Sequence, residues 1–479
     1  MWRGIDGPTE DMELKAMYFK PYYLGCLAHA SYMIGAEGGP AAVIDPRRDV
    51  DEYIADAERA GLTIRFVIET HLHADFVSGH VELARRTGAQ ILIGDRAGAT
   101  FPHIPITNEM RIELGDVSLT FRTTPGHTPE SVIALVTVAG DDNPRLIFTG
   151  DTLFIGDVGR PDLAGSRGYS AEQMARLMFA SLRDSILTLP DAAEVWPAHG
   201  AGSSCGKALS NDRASTIGRE KALNPALRYV LDGDEEGFVQ YHTEGLSAAP
   251  GYFGYDAQRN REGAAPLAEA TAGAVPLSPA EVEELSESGV LVLDVRSVAD
   301  FGSAHIPGAL HVQLEGTFAP WVGRVARPEE RILVVAEVGA EHEAIMRLAR
   351  VGYENIAGYL EGGMAAWNAA GGEQAAVPQL PADTPLMPRR TVVVDVRSRE
   401  EYDAGHLEGA LHIPLPELVE RIDELPPAPL ALMCGTGYRS SIACSLLLRA
   451  GRREVLNLAG GWEAASKART GIEPSAHVA

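Results

Sequence analysis

Cysteine is scarce in this chain. The four in 479 residues, Cys26, Cys205, Cys434 and Cys444, are too few and too scattered for a disulfide framework. They point instead to a reducing compartment with buried or reactive thiols. Basic charge is scarce as well: 41 Lys and Arg stand against 66 Asp and Glu, giving a formal net charge of −25. Such a surface repels nucleic acid and anionic membranes, so neither is expected as a partner. No run of about 18 apolar residues occurs, which argues against a transmembrane helix. The segment Met1 to Glu13 is acidic and has no apolar core, so it is not expected to act as a signal peptide, and a cytoplasmic location is expected.

What is present suits a soluble globular chain. Apolar residues make up 45 % and charged residues 22 %, and the length accommodates about three domains of ~150 residues each. Over residues 17–255, the apolar segments Ala41–Ile44, Phe66–Ile68, Ile91–Ile93, Val117–Phe121, Val132–Val138 and Leu146–Phe148 read as strands. Helical patterns occupy Val50–Ala60 and His80–Thr87. Gly251–Pro279, rich in Gly, Ala and Pro, reads as a linker. A repeat follows. "VLVLDVRSVADFGSAHIPGALHVQL" from Val290 is matched by "TVVVDVRSREEYDAGHLEGALHIPL" from Thr391, and "LEGGMAAW" at Leu360 by "LAGGWEAA" at Leu458. Two α/β copies with parallel sheets are therefore expected, over residues 275–375 and 389–475. The proline-rich stretch Val377–Pro388 would be a stiff connector between them.

Histidines and acids recur at strand ends in the first unit. "ETHLHADF" places His71, His73 and Asp75 directly after Phe66–Ile68; His127 lies in "TPGHT", Asp151 in "FTGD" and His199 in "PAHG". Imidazole and carboxylate gathered at one rim of a sheet can hold a metal ion. His29, His80, His103 and His242 lack that context and read as core or surface residues. These four motifs resemble the metallo-β-lactamase superfamily, an αββα sandwich. "GDTLFIGDVGRPD" and "PAHGAGSSCGK" resemble its persulfide dioxygenase branch.

That resemblance implies one Fe(II) per chain, with zinc as an alternative in purified material, held by His71, His127 and Asp151. Two imidazoles and one carboxylate leave positions open for sulfur and O₂. Phe76 stands where two-metal relatives have a further ligand, so a second metal should bind poorly. His73, Asp75 and His199 are accordingly expected to orient ligands and pocket water, and Asp45, in "VIDP", to support the loop carrying His71. Arg160 would meet the carboxylates of a small thiol carrier, or else form a surface salt bridge. Cys205, flanked by Gly and Ser, is expected to be exposed, as a sulfur relay or as an inert thiol.

The second repeat carries a thiol. The apolar strand Leu430–Met433 runs into Cys434, then a short loop of Gly435, Thr436, Gly437 and Tyr438, and Arg439 and Ser440 open a helix. Loop N–H groups, the positive helix end and Arg439 all favour a nucleophilic thiolate. This loop and the paired "DVRS" segments resemble rhodanese sulfurtransferases, which carry persulfide sulfur on such a cysteine. The resemblance casts Cys434 and Arg439 as catalytic, and Gly435–Tyr438 with Ser440 as the sulfur-binding loop. Arg397 and His406 would support the fold and the mouth of the site, and Cys444 would be a core residue. The first repeat has Ala336 in place of the cysteine and Glu341 in place of the arginine, so it should not transfer sulfur and would serve as a spacer, docking surface or oligomer contact.

Together the resemblances imply a fusion that oxidises a small-molecule thiol persulfide with O₂ to sulfite and thiol, and exchanges sulfane sulfur among persulfide, thiosulfate and sulfite. A homo-oligomer is expected. Two alternatives stand beside it: a glyoxalase-II-like zinc thioester hydrolase, and a non-catalytic sulfur carrier.

Overall fold

The computed structural model describes residues 17–246, 248–383 and 390–470; the acidic segment Met1–Glu13 lies outside them. The chain divides into two compact units, Met1–Leu267 and Ala268–Ala479.

The first unit is built on two six-stranded sheets. One runs in chain order through Met17–Leu24, His29–Ala36, Pro40–Ile44, Thr63–Glu69, Gln90–Gly94 and Ile104–Ile106. The other orders Ser215–Thr216, Glu194–Pro197, Leu146–Gly150, Val132–Val138, Val117–Thr123 and Arg111–Leu114. Alternation along Val132–Val138 shows how the layers form. Val132, Ala134 and Val136 pack with Ile34, Ile44 and Ile68 between the sheets. Ile133 and Leu135 point the other way, onto Ala175, Met178 and Phe179 of the helix Ala171–Ser181. On the far face of the first sheet, Met33, Val43 and Val67 pack against Tyr53, Ala57 and Leu83 from the helices Asp51–Arg59 and His80–Thr87. The result is an αββα sandwich.

This architecture gathers strand ends at one rim. Pro40–Ile44 and Thr63–Glu69 are parallel, so Asp45 and the His71 loop emerge together. Leu146–Gly150 and Glu194–Pro197 are also parallel, which brings Asp151 and His199 to a common end. Val132 N–H donates to the Thr70 carbonyl at 2.8 Å and ties the two sheets there.

The stretch expected to be a linker begins differently. Phe253–Glu262 is a helix whose Asn260 side chain donates to the carbonyls of His73 and Phe76 and accepts from Ser78 N–H, at 2.7–2.8 Å. It is an integral part of the first unit. Its sequence carries no apolar stripe, because a polar side chain fixes it rather than a hydrophobic face.

The second unit holds two parallel five-stranded sheets with the same strand order. The first copy arranges Pro276–Leu277, Ile356–Leu360, Ile332–Val335, Leu291–Asp294 and Leu310–His311. The second arranges Gln379–Pro381, Val455–Ala459, Leu430–Met433, Val392–Asp395 and Leu411–His412. Part of the expected connector is thus the edge strand Gln379–Pro381, a position where prolines are tolerated; residues 384–389 lie outside the described ones. The copies meet along the helix Tyr438–Arg449. Tyr438 O–H donates to the Gln313 carbonyl at 3.1 Å, Ser441 donates to His311 Nδ1 at 2.9 Å, and His311 N–H donates to Ser445 Oγ at 3.0 Å.

Candidate functional site

Three side chains converge at the rim of the first unit. His71 Nε2 and His127 Nε2 lie 3.6 and 3.4 Å from Asp151 Oδ2, all three residues buried. Each ring is oriented from behind. Thr70 Oγ1 donates to Asp45, so it accepts from His71 Nδ1–H at 3.0 Å, while His127 Nδ1–H donates to the Arg160 carbonyl at 2.8 Å. These contacts fix both tautomers with the Nε2 lone pair facing inward. His71 Nε2 and Asp151 Oδ2 are buried without a hydrogen-bond partner. Burial holds both imidazoles below their ordinary pKa range, and the neighbouring His73 adds to this at His71. Burial alone would raise Asp151, but His199 and His71 outweigh it and keep the carboxylate ionised. Two neutral imidazoles and one carboxylate with inward lone pairs fit a divalent metal. Gly159 makes room for them: a Cβ there would sit 2.2 Å from the Asp151 carbonyl and 2.9 Å from the His127 ring.

The remaining motif residues surround this set. His199 lies between acids, its Nδ1 2.8 Å from Asp151 Oδ1 and its Nε2 2.9 Å from Asp75 Oδ2. Burial works against its charge, yet the two carboxylates win and raise its pKa well above the usual range. His73 directs Nε2 at Asp45 Oδ1 (3.2 Å) and Glu69 Oε2 (3.5 Å). Asp45 also accepts from Thr70 N–H and Oγ1–H at 2.7 and 2.8 Å. It adopts φ +50°, a strained backbone for a non-glycine residue, at the base of the His71 loop. Phe76 is buried, with its ring centroid 4.1 Å from His29 and 4.5 Å from His73.

Two residues sit differently from their sequence expectation. Cys205 is buried, not exposed, and its sulfur belongs to a cluster with Asp151 and His199. Burial, then Asp75 and Asp151, push its thiol well above the usual range and keep it protonated. Flanking glycine and serine gave the opposite impression because this loop folds inward over the rim. Arg160 is buried too, in a bidentate pair with Asp162 at 2.6 and 2.7 Å, with a third bond to the Ser204 carbonyl at 3.1 Å. Its own carbonyl positions His127.

Several residues here escaped the sequence reading. His29 packs on Phe76 and lies 5.6 Å from the His199 ring. Glu69 is buried and stays protonated more readily than usual because of burial and the nearby Asp45. Its place two residues before His71 was the available signal. Glu130 accepts from Leu72 N–H at 3.1 Å and pairs with Arg167. A cavity of about 230 Å³ opens beside the ligand loop, lined by Leu72, Thr128, Glu130, Arg167, Phe253 and Arg261.

The second unit presents the thiol. Cys434 is buried at the end of Leu430–Met433, and its sulfur accepts from Gly437 N–H at 3.1 Å and Ser440 Oγ–H at 3.4 Å. Gly437 adopts φ +111°, which a side chain would oppose, and this turns its N–H toward the sulfur. Arg439 closes a bidentate pair with Glu401, both contacts at 2.6 Å. Cys444 is buried inside the helix, where desolvation raises its pKa. Arg397 is clamped by Asp395, and His406 stacks on Tyr402 at 3.8 Å. A cavity of about 620 Å³ lies at Thr436, Tyr438 and Arg439, with Gln313, Thr317 and Trp321 of the first copy as its other wall. In that first copy Ala336 is buried at the corresponding strand end, and Glu341 accepts from Gly339 N–H at 2.8 Å.

Similarity to known proteins follows the same division. The metallo-beta-lactamase superfamily matches residues 24–199, and the rhodanese-like domain matches twice, at 278–370 and 382–468. The chain belongs to the metallo-β-lactamase superfamily. It joins that fold, with its metal-type donor set, to tandem rhodanese-like domains. A metallo-beta-lactamase crystal structure from Staphylococcus aureus subsp. aureus COL is 34 % identical, with TM-score 0.63, over 72 % of this chain and 98 % of that one. Hydroxyacylglutathione hydrolase of Anaeromyxobacter dehalogenans is 31 % identical over 46 % of this chain and 89 % of its own length. Human mitochondrial persulfide dioxygenase ETHE1 is 30 % identical over 41 % of this chain and 70 % of its own length.

Proposed function

We propose that the first unit oxidises the persulfide of a low-molecular-weight thiol with O₂ at a single Fe(II), and that Cys434 transfers sulfane sulfur in the same chain. The observation that carries this reading is the donor set itself. His71, His127 and Asp151 face one point, while the neighbouring candidate group of His73, Asp75 and His199 has Phe76 packed against it in place of a further ligand. When bound, Fe(II) would supply open positions for sulfur and O₂. The likeness to human persulfide dioxygenase supports the substrate class.

The overall oxidation balances as persulfide, O₂ and one water giving thiol, sulfite and two protons. The chain's own part is to orient and exclude. Thr70 and the Arg160 carbonyl hold the two ligand imidazoles, and His199 bridges Asp151 and Asp75. Phe76 and His29 exclude water from one side. The cavity at Thr128, Arg167 and Arg261 would take the organic part of the thiol. In the second unit, Cys434 thiolate attacks the outer sulfur of a persulfide or thiosulfate. One S–S bond forms and one breaks, and thiolate or sulfite leaves. Gly437 N–H and Ser440 Oγ–H stabilise the sulfur anion.

Anaerobic purification, metal quantitation and an oxygen-electrode assay with glutathione persulfide test the reading. One iron per chain and O₂ consumption are expected. Asp151→Ala should abolish O₂ uptake and leave sulfur loading of Cys434 intact. The hydroxyacylglutathione hydrolase relative favours a second reading, thioester hydrolysis, which two zinc ions per chain and hydrolysis of S-lactoylglutathione would support instead.

A further inference from the structure

Three of the differences between the two copies in the second unit go together. Cys434 corresponds to Ala336, Arg439 to Glu341 and Glu401 to Asp300. The last difference is easily overlooked, because both acids occupy the same place in a helix start: Ser398 caps one helix and bonds Glu401, and Ser297 caps the other and bonds Asp300. Asp300 does no more than this, since its side chain meets Ser297. Glu401 does two things. One oxygen accepts from Ser398 N–H at 3.0 Å, and the two oxygens together clamp the guanidinium of Arg439 at 2.6 Å each. The longer acid thus reaches an arginine that exists only in the copy with a thiol.

We infer that Glu401 is a positioning residue for the Cys434 site, holding Arg439 over the sulfur-binding loop so that a cation stands beside the reacting sulfur. The inference rests on the reading of Cys434 as the sulfur carrier. Arg439 lines the same cavity as Thr436 and Tyr438 of the loop that follows Cys434, and a Cβ at Gly435, the residue after that cysteine, would lie 3.4 Å from its Nη2. A free arginine has many rotamers, and a two-point clamp on a planar fork removes most of them. The charge of Glu401 itself opposes a thiolate. However, its side chain is 39 % exposed and so well screened, against 23 % for Arg439. Orientation of the cation therefore outweighs the direct repulsion.

The competing effects predict opposite signs, which makes the inference testable. Glu401→Gln removes the charge but keeps a side chain able to complete the helix cap. Fragment-ion mass spectrometry assigns the label within a peptide to Cys434 or to Cys444, so iodoacetamide labelling of Cys434 can be followed across pH in the full-length protein and in every variant. Glu401→Gln should slow labelling at pH 7 by roughly threefold, the scale of a partly exposed ion pair, and move the labelling midpoint to higher pH. Glu401→Asp, with its shorter reach, should fall between. Arg439→Gln should slow labelling at least as much, and adding Glu401→Gln to it should change nothing further. An unchanged profile, a midpoint moved to lower pH, or additive effects of the two substitutions would overturn the role. Sulfur loading of Cys434 from glutathione persulfide, measured in the unsubstituted protein, reports separately. If it fails, the sulfur-carrier reading falls while the labelling cycle still decides whether Glu401 acts through Arg439.

Discussion

In both copies of the second unit, a strand ends in an acid that grips the arginine two residues on. Asp294 holds Arg296 and Asp395 holds Arg397, each with a 2.6 Å contact, and each arginine reaches a carbonyl eight residues further at 2.7 Å, Ala304 in one copy and Gly405 in the other. The histidine fifteen residues on bonds the arginine's carbonyl in both, His311 at 3.0 Å and His412 at 2.9 Å. The two scaffolds thus share the same polar framework, bond for bond. The difference lies in the loop after the third strand of each sheet, where one copy has Cys434 with donors aimed at it and the other has Ala336 with Glu341 folded back on its own backbone, and in the acid that reaches Arg439 in one copy only. Fold and chemistry separate cleanly here. The framework persists where the thiol and the arginine are absent, so the framework is what folds the domain, and the proposed chemistry would belong to the loop.

The largest expected effect breaks that comparison outright. Cys434→Ser should reduce sulfur loading from glutathione persulfide to background, read by intact mass, because Ala336 offers no second nucleophile. Loading that survived would place the chemistry elsewhere. Next come the two arginine clamps. Asp294→Ala and Asp395→Ala each strand a buried guanidinium and should each cost about 3–5 kcal/mol in urea unfolding. A marked inequality would show that only one copy depends on its clamp. The third concerns acid. His311 is buried, with burial outweighing Asp294 to lower its pKa to about 4, while Arg296 and His305 push the same way. The neutral form is therefore the folded form. Stability from this group is complete above about 6.5 and is lost as pH falls from 6.5 toward 4, on the order of 3 kcal/mol in all. Unfolding measured against pH should show that slope, and His311→Asn should flatten it, leaving the smaller part that the buried His305 contributes. The smallest is Tyr438→Phe, which removes one bond between the copies and should cost about 1 kcal/mol, visible as a small shift in the denaturant midpoint.

Much of this arrangement was legible beforehand. The internal repeat announced two similar sheets, and the strand-end histidines announced the rim, because both depend on local pattern. Less visible elements fail the same test for physical reasons. Met17–Leu24 is an edge strand containing Pro21, and the edge tolerates a missing N–H that an inner strand would not. His29 looked like an isolated histidine because its neighbours Phe76 and His199 arrive from distant parts of the chain. Cys205 looked exposed because loop composition says nothing about which way a loop folds. The helix Phe253–Glu262 had no periodic signal, since three polar bonds from Asn260 hold it in place.

That last helix bears on anyone who would dissect the chain. A cut at the glycine-rich border near residue 255, the natural choice from composition, would discard Asn260. Two carbonyls and one amide of the His73–Ser78 turn would then lose their partner. The shortened fragment could keep both sheets, yet hold its histidine loop too loosely to grip an ion. Low metal content in such a fragment would report the position of the scissors, and a boundary beyond Leu267 avoids that misreading.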